Sequence, residues 1–300
     1  VRINIAEGPL YRFGETRYEG LRGLSKRVPQ FGTRYKPGDP YVRSLLFDTQ
    51  SALYGTGYFE DVTISASTNS ARVADVVIHF KERPFKWLKG GVGWGSEERE
   101  RVSLILEHGN LGGRAYRGQL TGTWSAIWRE YSAEFINPYF FKTRTEYRAS
   151  TAWRKENREG YDFERTRGET SLGRQLTKRT DGTVSIRLDR NVVYDLDPNI
   201  AETTPERSDA RIVGIALNRN STNDFFFPSR GARSRGAVER YGGALGGALD
   251  LNRFSFESFH YHPIWKALTG AVAVRTGFID AYGQSPDVPI FERFFIGGAN

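Results

Sequence analysis

The sequence predicts a small α+β domain followed by an antiparallel β-barrel of the transmembrane kind. Three observations carry this expectation. One clear amphipathic helix lies in the first 85 residues, among alternating strands. From Lys86 onward apolar and polar residues alternate in segment after segment, each near the ~9–11 residues of a tilted bilayer-spanning strand. Aromatic residues make up 14% of a chain whose hydrophobic content is only 38%. Barrels that ring both membrane interfaces with aromatics and keep a polar interior have this balance.

Composition removes several function classes. The chain has no cysteine, so disulfide frameworks and thiolate chemistry are excluded. No run approaches the ~18 apolar residues of a spanning helix, which does not bear on barrel strands. The net charge of +8 is spread along the strands, without a compact basic stripe. Nucleic acid is therefore not an expected partner, while anionic lipid headgroups suit the cationic surface. There is no Gly-x-Ser-x-Gly and no phosphate loop, so no catalytic, cofactor or metal site is expected. His260 and His262 lie two apart on a strand but lack an acidic or thiol companion, and read as girdle or lumen residues. Glu130 and Glu134 share a strand face and read as lumen lining. Arg233, Arg235 and Glu239 read as a lumen network.

The first domain is legible element by element. Residues 1–7 alternate and stop at Glu7-Gly8-Pro9, with no signal peptide before them, so the chain reads as a processed or excised piece. A strand at 15–19 ends at Gly20, and 21–36 has room for a short helix. Asp39-Pro40 is the expected helix start, an N-cap acceptor followed by proline. Val42, Leu45, Leu46, Thr49 and Leu53 then share one face, and Gly55 and Gly57 end the helix. Strands follow at 58–66 and 72–80, with the turn at Asn69-Ser70. The Glu-x-Pro junction after a strand occurs twice, at Glu7-Gly8-Pro9 and at Glu82-Arg83-Pro84. Residues 1–9 are accordingly expected to close a preceding module, 10–85 to form the α+β domain and 86–300 to form barrel.

Eleven strands are expected in the barrel part. They centre on 86–94, 102–107, 116–124, 130–135, 147–154, 163–176, 184–194, 213–217, 231–241, 249–262 and 272–278. Turns are expected at Gly109-Asn110-Leu111-Gly112, Asn137-Pro138-Tyr139, Thr180-Asp181-Gly182 and His262-Pro263-Ile264. Longer polar loops are expected at 155–162, 195–209 and 281–300. Short turns on one side and long loops on the other fit a membrane barrel. Bacterial barrels are usually even-stranded, so further strands are expected beyond Asn300. Leu88, Lys89, Gly90, Gly91, Val92, Gly93 and Trp94 form the first of these strands and a candidate open edge, where another chain can pair.

Motif order then points to a family. Glu7-Gly8-Pro9-Leu10-Tyr11-Arg12-Phe13-Gly14, Lys36-Pro37-Gly38-Asp39-Pro40-Tyr41 and Gly57-Tyr58-Phe59 resemble a POTRA (polypeptide-transport-associated) domain. Gly90-Gly91-Val92-Gly93-Trp94 resembles a first barrel strand. Asn110-Leu111-Gly112-Gly113, Asn137-Pro138-Tyr139 and Phe227-Pro228-Ser229-Arg230-Gly231 resemble periplasmic turns. Phe291-Glu292-Arg293-Phe294-Phe295-Ile296-Gly297-Gly298-Ala299-Asn300 resembles the lead-in to a sixth extracellular loop. Across essentially the whole chain the sequence resembles the BamA/TamA superfamily of outer-membrane β-barrel assembly proteins, with POTRA phrasing nearer TamA.

The resemblance implies a barrel of ~16 strands, the last five lying beyond Asn300. It also implies a hydrophobic-arginine-glycine-aromatic motif directly after that residue, with Gly297, Gly298 and Asn300 leading into it. It implies a bacterial outer-membrane location with the POTRA domain in the periplasm. The implied partners are unfolded outer-membrane proteins, the lipid bilayer, and assembly partners in the periplasm or inner membrane. A client strand would pair with the glycine-loosened first strand. A second edge, Phe59, Val62, Thr63, Ile64 and Ser65, would receive unfolded chains, and proline at Thr63 or Ser65 would remove an edge donor there. The alternatives are a two-partner-secretion transporter and the barrel unit of a patatin-like lipase whose serine would lie upstream.

Overall fold

A computed structural model describes residues 9–96, 98–158, 161–194, 206–265 and 268–294. It separates into two units, 1–87 with 107–117, and 88–106 with 118–300.

The first unit contains β1 (Arg12–Glu19), α1 (Arg27–Gly32), α2 (Arg43–Gly55), β2 (Phe59–Thr68) and β3 (Val73–Glu82). The three strands form one sheet in the order β1-β3-β2, with β1 parallel and β2 antiparallel to β3. Alternation on β3 buries Ala74, Val76, Ile78 and Phe80, and β2 adds Phe59 and Val62. Leu53 of α2 is fully buried, and a Cβ on Gly32 of α1 would lie 2.6 Å from its side chain. Phe13 stacks on Tyr35 with ring centroids 3.9 Å apart. Burial raises the pKa of the Tyr35 hydroxyl, and Tyr18 is raised for the same reason. The Glu-x-Pro junction has a structural purpose at its second occurrence. The Glu82 carboxylate accepts three successive amides, Arg22 (3.1 Å), Gly23 (2.8 Å) and Leu24 (2.9 Å). Gly23 in turn accepts the Asn110 side-chain amide at 2.9 Å. The first occurrence lies outside the described residues except for Pro9.

The second sheet has eleven antiparallel strands in sequence order. They are β4 (Lys86–Gly95), β5 (Arg99–Leu111), β6 (Tyr116–Ser125), β7 (Trp128–Phe140), β8 (Thr145–Arg158), β9 (Tyr161–Thr177), β10 (Thr180–Tyr194), β11 (Arg207–Asn220), β12 (Gly231–Tyr241), β13 (Leu251–Trp265) and β14 (Leu268–Ala281). All eleven expected strands are present. Register puts Val184 opposite Ile215, Ile186 opposite Val213 and Phe254 opposite Phe278, so one face is an apolar surface. Val184, Ile186, Leu188, Ile215, Leu217 and Phe278 stay exposed there, as bilayer-facing side chains do. The opposite face carries Arg148, Arg165, Arg187, Asp189 and Glu239 in ion pairs. Among the described residues no helix is long and apolar enough to cross a membrane.

Several local expectations are corrected. Helix α2 starts at Arg43 with Val42 as its cap residue, not at Asp39. The Asp39 side chain is spent on its own turn, accepting the Lys36 amide at 2.8 Å. Its carbonyl accepts the Phe13 amide at 2.9 Å, which keeps this stretch extended beside β1. Asn137-Pro138-Tyr139 is not a turn but the irregular end of β7, where the register shifts; the turn follows at 141–144. Proline is tolerated there because a bulge needs no ladder donor. Thr180-Asp181-Gly182 already belongs to β10, and the turn is Lys178-Arg179. His262-Pro263-Ile264 lies within β13, again at a register shift. The expected loop at 155–162 is mostly strand, β8 running to Arg158 and β9 starting at Tyr161. The connection at 221–230 is long although it lies on the short-turn side. Loop length therefore does not alternate as cleanly as the sequence suggested.

Candidate functional site: strand edges and an inward segment

Strand β4 is the terminal strand of the eleven-stranded sheet, neighboured only by β5 among the described residues. Leu88, Lys89, Gly90, Gly91, Val92, Gly93 and Trp94 are all exposed, Val92 at 86% and Trp94 at 75%. A Cβ added at Gly90 or Gly93 would meet nothing within 4 Å, and one at Gly91 would meet only Ser103 Oγ at 3.0 Å. Gly90 and Gly93 therefore answer no packing demand among the described residues, while a Cβ on Gly91 would crowd Ser103. They lower strand rigidity and leave the backbone approachable.

Strand β2 is an edge of the smaller sheet. Phe59 and Val62 point into the core, Thr63 and Ser65 are exposed, and Ile64 is half-buried. The edge begins with a register shift between Phe59 and Asp61. At Val62 both backbone groups are held by helix α2. The Val62 amide donates to Tyr54 Oη at 3.1 Å, and Gln50 Nε2 donates to the Val62 carbonyl at 2.7 Å. Tyr54 Oη donates onward to Asp61 Oδ1 at 2.7 Å, and Thr63 Oγ1 donates to Asp61 Oδ2 at 2.9 Å. These two hydroxyls, Tyr54 first, hold the Asp61 carboxyl below its usual pKa. Backbone groups of Val62 thus face away from β3, and by the two-residue period those of Ile64 and Ala66 do too. Thr63 and Ser65 amides face β3 instead. Proline at either would break the β2–β3 ladder rather than remove an open donor, which corrects that expectation.

In the second unit, the segment after β14 returns to the charged face of the sheet. Asp250 fixes its start, accepting the Gln284 amide at 2.9 Å and the Gly243 amide at 2.6 Å. These two bonds, Gln284 first, depress the Asp250 pKa. Val288 enters a buried cluster with Ala210, Ile212, Tyr241, Leu249 and Leu251. Phe291 stacks on Phe163 at 5.4 Å. The 3-10 turn Ile290–Glu292 then presents Glu292, which is 3% exposed. Its carboxylate meets Arg165 of β9 at 2.7 Å, Arg253 of β13 at 3.2 Å and the Tyr241 hydroxyl of β12 at 3.1 Å. Behind it, Asp189 accepts Arg167 Nε and Nη2, each at 2.9 Å, and Arg187 Nε lies 3.3 Å from it. Every buried carboxylate here has a cation and a hydrogen bond, the condition for keeping such charges in a low-dielectric site.

Glu292 was legible only as part of the loop lead-in; its partners on β9, β12 and β13 carry no local signal. Gly297, Gly298 and Asn300 lie outside the described residues. Glu130 and Glu134 do share the charged face, pairing with Arg154 (3.4 Å) and Arg148 (2.6 Å). The expected Arg233–Arg235–Glu239 network is different in detail. Glu239 pairs with Arg187 at 2.7 Å, while Arg233 donates to the Phe225 carbonyl. His260 is hydrogen-bonded to Ser258 Oγ at 3.0 Å.

A POTRA-type α+β domain followed by an antiparallel, barrel-type sheet with an inward-turned segment after β14 defines a class of membrane-barrel protein. Residues 110–300 match the Omp85 superfamily domain, and residues 11–83 match the POTRA family described as a surface antigen variable number repeat. The chain belongs to the Omp85 superfamily. It is 28% identical over 286 residues to the outer membrane protein assembly factor BamA of Nitratidesulfovibrio vulgaris, covering 93% of this chain and 36% of that protein. The chain therefore spans about a third of that relative's length. In fold it is similar to BamA from Haemophilus ducreyi lacking POTRA domains 1–3, with TM-score 0.82 and 17% identity over 97% of this chain and 59% of that one. CdiB from Escherichia coli has TM-score 0.58 and 14% identity over 92% of this chain and 55% of that one.

Proposed function

We propose that the chain is the strand-handling part of a protein that assembles and inserts β-barrel proteins into a bacterial outer membrane. Its sheet lies in the bilayer and its POTRA domain in the periplasm. Its partners are unfolded outer-membrane proteins, the lipid bilayer, and assembly proteins of the periplasm or inner membrane. It acts by binding, not by catalysis of bond chemistry. The observation that carries this reading is β4: among the described residues it pairs only with β5, and a Cβ placed on its Gly90 or Gly93 meets nothing within 4 Å. In hydrocarbon an unpaired strand edge leaves amides and carbonyls unsatisfied, at a cost of several kcal/mol for each group. An incoming strand that pairs there satisfies both chains at once, so the edge lowers the barrier to bringing a new strand into the bilayer.

The test uses the full-length protein in native-lipid vesicles, with single cysteines at Gly91 and Gly93. A client barrel carrying a cysteine scan along its terminal strand is inserted under oxidising conditions. Disulfides that recur at every second client residue, and that stall insertion when formed early, are the expected result. Insertion at the normal rate with β4 blocked by a bulky thiol adduct would overturn it.

A further inference from the structure

Strand β2 is not open along its whole outer side. Of the two edges of its sheet, β1 is covered by backbone: the Phe13 amide donates to the Asp39 carbonyl at 2.9 Å and the Gly38 amide to the Phe13 carbonyl at 2.7 Å. On β2 the Arg83 side chain holds the Phe59 carbonyl at 3.0 Å, and the covering by helix α2 falls at Val62. Gln50 Nε2 and Tyr54 Oη supply a donor and an acceptor to that residue's carbonyl and amide, the pair that a neighbouring strand would supply. Asp61 fixes the polarity of this imitation. Because Tyr54 Oη donates its proton to Asp61, its lone pair is left for the Val62 amide. Among the described residues the hydrogen bonds from α2 side chains to the β2 backbone fall at Val62, and the outward-facing positions beyond it are Ile64, Ala66 and Thr68. At the far end the β2–β3 turn closes the ladder, the Asn69 amide donating to the Val73 carbonyl at 3.0 Å.

We propose that Tyr54 and Gln50 form a built-in stop that blocks strand addition at Val62, so that an extended chain pairs only along Ile64 to Thr68. The inference rests on the reading that this domain receives unfolded chains. It deepens that reading by fixing the register and the length of the held segment. The occupant is an extended, alternating segment of an unfolded barrel protein, held by backbone pairing over about five residues. So short a pairing favours release, because few ladder bonds form. The stop also keeps the incoming chain off the bulge at Glu60 and Asp61, where the register of β2 itself shifts.

The experiment uses the full-length protein in detergent micelles and, as probe, a peptide copying residues 268–281 of this chain. Amide exchange is followed at Val62, Ile64 and Ala66 in the parent and in the Tyr54→Phe/Gln50→Leu variant, which leaves the buried face of α2 intact. In the free parent, Val62 should exchange at least ten-fold more slowly than Ile64 and Ala66, and the variant should erase that difference. The peptide should slow Ile64 and Ala66 in both proteins, and Val62 only in the variant. A cysteine at Ala66 should cross-link one peptide position in the parent and a register extended by two residues in the variant. Equal exchange at Val62 and Ile64 in the free parent would overturn the stop, as would an unchanged register in the variant. Slow Val62 exchange with no peptide protection in either protein would instead overturn strand addition itself, and the stop's role with it.

Discussion

Glu292 and Arg165 are 127 residues apart in sequence, and their charged groups meet at 2.7 Å on the inner face of the sheet. The carboxylate is almost wholly buried, so its charge depends on Arg165, Arg253 and Tyr241 for compensation. Replacing Glu292 with Ala takes the anion from Arg253 and leaves Arg165 only the more distant Asp189, 4.0 Å away. The expected loss is about 3–5 kcal/mol, the usual cost of breaking a buried pair from one side. Replacing both Glu292 and Arg165 with leucine should recover part of that loss. Denaturant titration of the folded barrel, followed by gel mobility, checks the coupling. Additive effects of the two single variants would remove the pair from the account of how the segment is held.

Glu82 makes a second prediction, in the POTRA domain. One carboxylate accepts the amides of Arg22, Gly23 and Leu24 and so fixes the loop between β1 and α1. Hydrogen bonds to a charged group contribute ~1.5–3 kcal/mol, and these three share one anion. Glu82→Ala should therefore lower domain stability by about 2–3 kcal/mol. Glu82→Gln, which keeps one oxygen acceptor, should lose less. Thermal unfolding followed by circular dichroism distinguishes the two, and equal losses would count against the anion's role.

The connection between β11 and β12 should be acid-sensitive. Asp224 accepts the amides of Phe227 at 2.7 Å and Phe226 at 2.8 Å, and these bonds depress its pKa below the ordinary 3.8. A depressed folded-state pKa means that the contribution is fully present above the unfolded value and is lost as pH falls through the folded one. At neutral pH the turn is held. Below about pH 3.8 the Phe226 and Phe227 amides should lose protection progressively. Asp224→Asn, which cannot titrate, should flatten that pH dependence in amide-exchange measurements.

Gly231 closes the same connection with φ +100, and a Cβ there would lie 2.4 Å from the Ser221 carbonyl oxygen. Both the backbone angle and the contact exclude a side chain. Gly231→Ala should cost about 1–3 kcal/mol from backbone strain alone. By contrast, Gly93→Ala in β4 meets open space and should leave stability unchanged or slightly raised. A comparable loss at both sites, read by the same denaturant midpoints, would mean that β4 is packed against something after all.

How much was legible follows from the range of each signal. Strand alternation is a two-residue pattern, and consecutive antiparallel strands pair with their neighbours, so eleven strands and their order could be read directly. Turn positions were less legible. Pro138 and Pro263 mark register shifts inside strands rather than turns, because proline is at home in either setting. The helix start at Asp39 was misread because that carboxylate caps whichever backbone amide lies nearest, and the fold offers it Lys36.

The sequence by itself determined the two architectures, the strand count and the glycine-rich first barrel strand, since each is written in neighbouring residues. Only the tertiary structure decided which amides of β2 face outward, that Tyr54 and Gln50 close the edge at Val62, and that Glu292 reaches Arg165. Those facts depend on side chains meeting across long stretches of chain. A lone tyrosine, glutamine or glutamate has no periodicity, and its partner is chosen by packing rather than by its neighbours in sequence.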